Sequence, residues 1–235
     1  SYDYCAPLNE YGGYTSAYHA IRELMCAKRG IKPDVLPLEP VLQHIGEVRL
    51  SECTGLFENE ERIGVKHRSG VPLPMEKYGQ NFGLILYRTV LPGDYGTGFV
   101  SLRGLHDTAH IFVNGEKKKT FRRTDEGSLR FKLTGKHSFI ASGVKKGDEI
   151  AVLVDAAGRV NYGEHLYDRK GISALMFNNQ TLMDFDVACF PLDNLDKLDW
   201  SRGAAKFPKF FRGSFAAKSK GAGAGMRLAR APALW

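Results

Sequence analysis

Glu149-Ile150-Ala151-Val152-Leu153-Val154-Asp155 is the stretch whose reading decides the fold. In an extended chain, Ile150, Val152 and Val154 point one way while Ala151, Leu153 and Asp155 point the other. Both faces are partly apolar, so this strand is expected at the centre of a sheet covered on both sides, not at its edge. Working outward, Phe82 to Leu91, Ala109 to Val113 and Leu129 to Leu133 are also short and alternate in polarity. Gly, Pro, Asn or Asp turns separate them, which predicts an antiparallel β-sandwich after residue 44. Ile111 and Val113 followed by Asn114-Gly115 predict a tight hairpin whose return strand carries Lys117-Lys118-Lys119 and Arg122-Arg123. Lysines on an exposed hairpin block edge-to-edge association and need no ligand to explain them.

Ahead of the sandwich the pattern changes. Ser1 to Cys5 reads as a strand whose pairing neighbour is missing, with Tyr2 and Tyr4 on one face and Asp3 and Cys5 on the other. Two phenols side by side make an aromatic wall with hydroxyl tips, suited to a sugar ring. Spacing alone favours the plainer reading, two tyrosines sealing a core. A Pro/Gly loop follows, and then a helix around Tyr18 to Met25, with Thr15 or Ser16 as N-cap and Ile21, Leu24 and Met25 on one face. Ile31 to Pro40 carries Pro33, Pro37 and Pro40 and reads as an extended linker.

Charge and cysteines exclude more than they suggest. The net charge of +7 belongs to the tail: residues 202–235 hold eight basic and no acidic side chains, leaving the other 201 residues at −1. Only Phe121 is interleaved with the hairpin lysines, which argues against a nucleic-acid platform. No apolar run approaches the ~20 residues needed to span a bilayer. Cys5, Cys26, Cys53 and Cys189 lack metal-ligand spacing and read as free thiols of a reducing compartment. Lys218 to Trp235, dominated by Gly, Ala and basic residues, is expected to be disordered.

The polar constellations are weak as catalytic sites. His106-Asp107 are adjacent, and alternation along a strand would send them to opposite sides. Glu58, Glu60 and Glu61 form a solvated run in a polar loop. Arg159 and Asn161, two apart, read as a structural lock between loops.

Several segments, in order, resemble the β-galactosidases of glycoside hydrolase family 35. They are Ser1-Tyr2-Asp3-Tyr4-Cys5-Ala6-Pro7 with Asn9-Glu10, then Gln80-Asn81-Phe82-Gly83-Leu84-Ile85-Leu86-Tyr87-Arg88-Thr89. His106-Asp107-Thr108-Ala109, Phe112-Val113-Asn114-Gly115, Gly158-Arg159-Val160-Asn161-Tyr162-Gly163 and Lys170-Gly171-Ile172 follow, and Phe207 to Phe215 resembles a strand opening a further sandwich. Cys5 departs from the usual Asp, and Asp155-Ala156-Ala157 replaces the usual Glu-Asn-Met.

The resemblance implies a mainly β chain: a galactose-binding-like jelly roll preceded by the last βα unit of a (β/α)8 barrel. The expected parts are residues 1–30 from the barrel, a linker over 31–44, the sandwich over 45–200, a further sandwich element over 201–217 and the disordered tail over 218–235. The implied parent is a retaining hydrolase of terminal β-D-galactose, with Tyr2 and Tyr4 lining the galactose subsite. Its two catalytic glutamates would lie upstream of Ser1, so this chain holds no catalytic residue and is expected to be inactive alone. No metal or organic cofactor is implied. The expected ligand is a β-galactoside or galactose-containing oligosaccharide, with no nucleic-acid or membrane partner, and a homo-oligomeric parent stays open. The alternative is a non-catalytic carbohydrate-binding or structural β-sandwich.

Overall fold

The computed structural model describes residues 5–39, 42–125, 136–164, 166–201, 206–216 and 223–225. They fall into two compact units, residues 1–52 with 211–235, and residues 53–210. Tyr2, Tyr4 and the expected strand Leu129 to Leu133 lie outside the described residues.

In the first unit, helix α1 spans Ser16–Arg29. Thr15 caps it by accepting from the Tyr18 amide, and Gly30 ends it in the left-handed conformation with φ 63°. Lys28 and Arg29 sit in its last turn, where positive charge suits the helix dipole. None of its residues is buried. The predicted apolar stripe exists, but Ile21, Leu24 and Met25 remain 51%, 69% and 43% exposed. Residues 31–39 have no regular structure, whereas β1 (Leu42–His44) forms inside the span expected to be linker. It pairs in parallel with Gly223–Gly225, inside the tail expected to be disordered. Strand pairing needs only backbone groups, so a Gly/Ala run can supply it without apolar periodicity.

Along the rest of the chain the strands are β2 (Glu52–Gly55), β3 (Val65–Ser69), β4 (Gly83–Val90), β5 (Gly96–Arg103), β6 (Thr108–Val113) and β7 (Glu116–Arg122). They continue as β8 (His137–Val144), β9 (Glu149–Ala156), β10 (Ala174–Phe177), β11 (Gln180–Thr181), β12 (Phe185–Phe190), β13 (Lys209–Arg212) and β14 (Gly223–Gly225). A six-stranded sheet runs β3-β12-β4-β9-β6-β7 and a four-stranded sheet runs β11-β10-β5-β8. Among the described residues every pairing within the two sheets is antiparallel.

Strand β9 is central, between β4 and β6, as its composition requires. Ile150, Val152 and Val154 enter the main core with Ile85, Tyr87 and Val187 of the same sheet and Val100, Leu175 and Phe177 of the other. Ala151 and Leu153 enter a second cluster behind the sheet, with Leu86, Phe112 and Phe190 packed on Leu56, Ile63 and Leu198. Leu56 and Ile63 flank and end a short helical segment, the 3-10 turn Phe57–Asn59 and α2 (Glu60–Ile63). One sheet therefore buries both faces. The β6–β7 hairpin turns at Asn114 (φ 50°) and Gly115 (φ 74°), the two left-handed positions its residue types predict. Lysine-rich β7 is the sheet edge.

Candidate functional site

Two polar arrangements lie at opposite ends of β4 and β9, whose register runs from Gly83 with Ala156 to Val90 with Glu149. Seven strand steps of ~3.4 Å separate those ends, roughly 24 Å.

The first is a charge cluster at the Gly83 end. Lys170 is 1% exposed, and its Nζ donates to Asp107 Oδ2 at 2.6 Å and Asp168 Oδ2 at 2.7 Å. Arg123 Nη1 donates to both oxygens of Asp168 at 2.9 Å and to Asp107 Oδ1 at 3.1 Å. His106 Nδ1 lies 2.6 Å from Asp168 Oδ1. Desolvation alone would raise the Asp168 carboxyl, but hydrogen bonds from Lys170, Arg123 and His106 outweigh it and hold the group well below the usual carboxylate range. Arg159 continues the network. It donates to the Asn81 carbonyl from Nη2 at 2.8 Å and to the Asp168 carbonyl from Nη1 at 2.8 Å, and pairs with Glu76 Oε1 at 2.6 Å.

The cluster clamps the connection after β9 onto the sheet, and His106 and Gly171 exchange backbone hydrogen bonds at 3.0 and 2.8 Å beside it. Nothing in it is poised for chemistry: the Asp168 carboxyl is held ionised, and the lysine is buried between two carboxylates. Arg159 thus acts as the lock expected from its spacing, while Asn161 is exposed.

His106 and Asp107 do not point to opposite sides, as strand alternation predicts. Both side chains reach the same cluster, because β6 begins only at Thr108 and the pair lies before the regular strand. Glu60 is a second correction. It belongs to α2, and Arg88 donates to its two oxygens from Nη1 and Nη2 at 2.7 and 2.6 Å. Glu61 pairs with Lys66 at the surface.

The second arrangement is an open groove of about 370 Å³ at the Val90 end. Its wall includes Arg68, Asp186 and Arg88, direct cross-strand neighbours on β3, β12 and β4, and Glu149 of β9, which pairs with Val90 two positions beyond Arg88; the four alternate in charge. Opposite them, Thr89 Oγ1 donates to the Met183 carbonyl at 2.7 Å, and the Tyr95 hydroxyl donates to Gln180 Oε1 at 3.1 Å.

Among the described residues, no group of three or more His, Cys, Asp or Glu side chains is arranged to hold a metal ion, and no helix is long and apolar enough to cross a membrane. Sequence reasoning missed the partnership of Asp168, Lys170 and Arg123, since charged residues in a polar stretch read as solvated. The faint signal was the two-residue spacing of Asp168, Lys170 and Ile172, which in an extended segment puts charge and core on one face.

Residues 72–193 match the family model of the β-galactosidase first all-beta domain. The chain is 28% identical over 219 residues to the β-galactosidase of Xanthomonas manihotis, covering 91% of this chain and 34% of that protein. To the β-galactosidase of Bos taurus it is 33% identical over 205 residues, covering 83% and 29%. To that of Homo sapiens it is 28% identical over 244 residues, covering 93% and 34%. It thus spans about a third of the length of these curated relatives. The matched residues run from just before β4 through β12, taking in the six-stranded sheet's central strands and the charge cluster, and on this evidence the chain belongs to the β-galactosidase family, of which it carries the first all-beta domain.

Proposed function

We propose that this chain is the non-catalytic β-rich part of a retaining β-galactosidase that removes terminal non-reducing β-D-galactose. The observation that carries the reading is the family match over residues 72–193. In this reading residues 1–30 are the end of a catalytic barrel, and Tyr2 and Tyr4 line its galactose subsite. A retaining glycosidase needs two carboxyl groups ~5 to 5.5 Å apart, one as acid and one as nucleophile. The central carboxylates described above do not suit that task, since Asp107, Asp168 and Glu60 are each tied up by guanidinium or ammonium groups. Glu10 is exposed in a turn. In this reading the two glutamates belong to the rest of the barrel, and the part played by residues 53–210 is to support it.

The test is direct. Purified chain should release no phenol from an aryl β-galactoside. A longer chain, with the barrel of a relative joined ahead of Ser1, should do so. Turnover by the 235-residue chain, abolished by Glu10→Gln, would overturn the proposal.

A further inference from the structure

We infer that the groove at the Val90 end is a binding site for a neutral saccharide, an inference independent of the hydrolytic reading. Its ligand chemistry follows from the order of charges along its wall. Arg68 faces Asp186 across β3 and β12, Asp186 faces Arg88 across β12 and β4, and Arg88 Nε lies 3.8 Å from Glu149 Oε1. Donor-only and acceptor-only groups therefore alternate, Arg68, Asp186 and Arg88 at strand spacing, ~4.8 Å, and Glu149 two positions along β9 from the residue that pairs with Arg88. A hydroxyl both donates and accepts, so a run of neighbouring hydroxyls on one ring can bridge successive members of such a row. An anion or a cation would meet repulsion at every second position.

The row combines fixed and available groups. Arg88 is held by Glu60 through two of its five N–H donors. Arg68 and Asp186 are only loosely paired at 3.9 Å, with side chains 79% and 75% exposed, so a ligand displaces little when it engages them. Across the groove, Gln180 uses its Oε1 to accept from Tyr95, which leaves its amide to donate. The Tyr95 ring, packed at 4.7 Å from Phe177, adds an aromatic surface of the kind that meets sugar C–H groups. The opposite wall is pre-set by the Thr89 bond to Met183 and by the Asp184 amide donating to the Gly70 carbonyl at 3.0 Å. A volume of about 370 Å³ falls at the small end of ligand sites.

The experiment is a titration of the 235-residue chain with β-linked galactobiose, followed through backbone amide resonances. Shifts should cluster at Arg68, Val90, Gln180 and Met183 and spare Lys170 and Arg123. Arg68→Ala and Asp186→Ala should each weaken the interaction about tenfold, the cost of one lost charge-assisted hydrogen bond. Both side chains are largely exposed, so an unchanged amide spectrum elsewhere will confirm that the fold is kept. Absence of clustered shifts, or affinity unaltered in both variants, would overturn the assignment. Tighter, salt-sensitive binding of a sulfated disaccharide at the same residues would overturn its neutral character.

Discussion

Lys170 shows how strongly one residue can depend on its surroundings. A buried ammonium is costly unless its donors are matched, and here two carboxylates lie within 2.7 Å of it. Lys170→Met would leave Asp107 and Asp168 short of a counter-charge in a desolvated place, and should cost about 3 to 5 kcal/mol in urea unfolding. Lys66→Met, which breaks an exposed, solvent-screened pair with Glu61, should cost far less in the same measurement. Equal losses would mean that burial of the cluster does not set its energetics. His110 gives the matching statement about pH. Burial, then the charges of Lys117 and Arg122, push its imidazole down to about 4. The unfolded ring titrates near ~6.5, so between those values the unfolded chain binds the extra proton and stability falls as pH drops. The drop between pH 7 and pH 5 should be smaller in His110→Gln, by on the order of 1 kcal/mol, because the partly accessible ring feels only part of the full shift. An identical pH dependence of urea unfolding in the two proteins would contradict it.

At the scale of elements, glycines with similar backbone angles do different jobs. Gly115 turns the β6–β7 hairpin at φ 74°, and a Cβ there would meet nothing within 4 Å. Gly115→Ala therefore costs only the left-handed backbone preference, about 1 kcal/mol. Gly83 opens β4 at φ 88°, but a Cβ there would lie 2.2 Å from the Phe190 carbonyl oxygen on the neighbouring strand. Gly83→Ala must push β4 away from β12, so thermal unfolding should show a loss at least twice that of Gly115→Ala. Reversal of that order would show that the sheet edge, not its centre, limits stability. Helix α1 makes the complementary point. Its N-cap and apolar spacing were legible in the sequence, and they specified a helix without burying it.

For the whole molecule, burial is divided unevenly. Residues 53–210 hold both apolar clusters, while Val35 and Leu38 in the irregular stretch 31–39 are 97% and 98% exposed. Backbone without regular pairing or packing is where proteases cut first. Limited digestion should cleave within residues 31–39 and leave a resistant product that keeps β3 through β12. Mass spectrometry of the digest checks this, and early cuts inside the sandwich with 31–39 intact would refute it.

The sequence by itself determined what depends on local order. Alternation in Glu149–Asp155 fixed β9 as a central strand, Asn114-Gly115 fixed the hairpin, Thr15 or Ser16 marked the start of the helix, and the ordered motifs pointed to the family that residues 72–193 match. Only the tertiary structure decided which charges are buried together. Asp107, Arg123, Asp168 and Lys170 are separated by up to 63 residues, and beyond the two-residue spacing of Asp168 and Lys170 nothing local records the grouping. The groove has the same origin, since its charge row exists only once β3, β12, β4 and β9 lie in register. Periodicity reports which face a side chain takes, because that is a property of one strand. What that face meets is a property of the pairing between strands, and pairing at long range is where electrostatic sites are made.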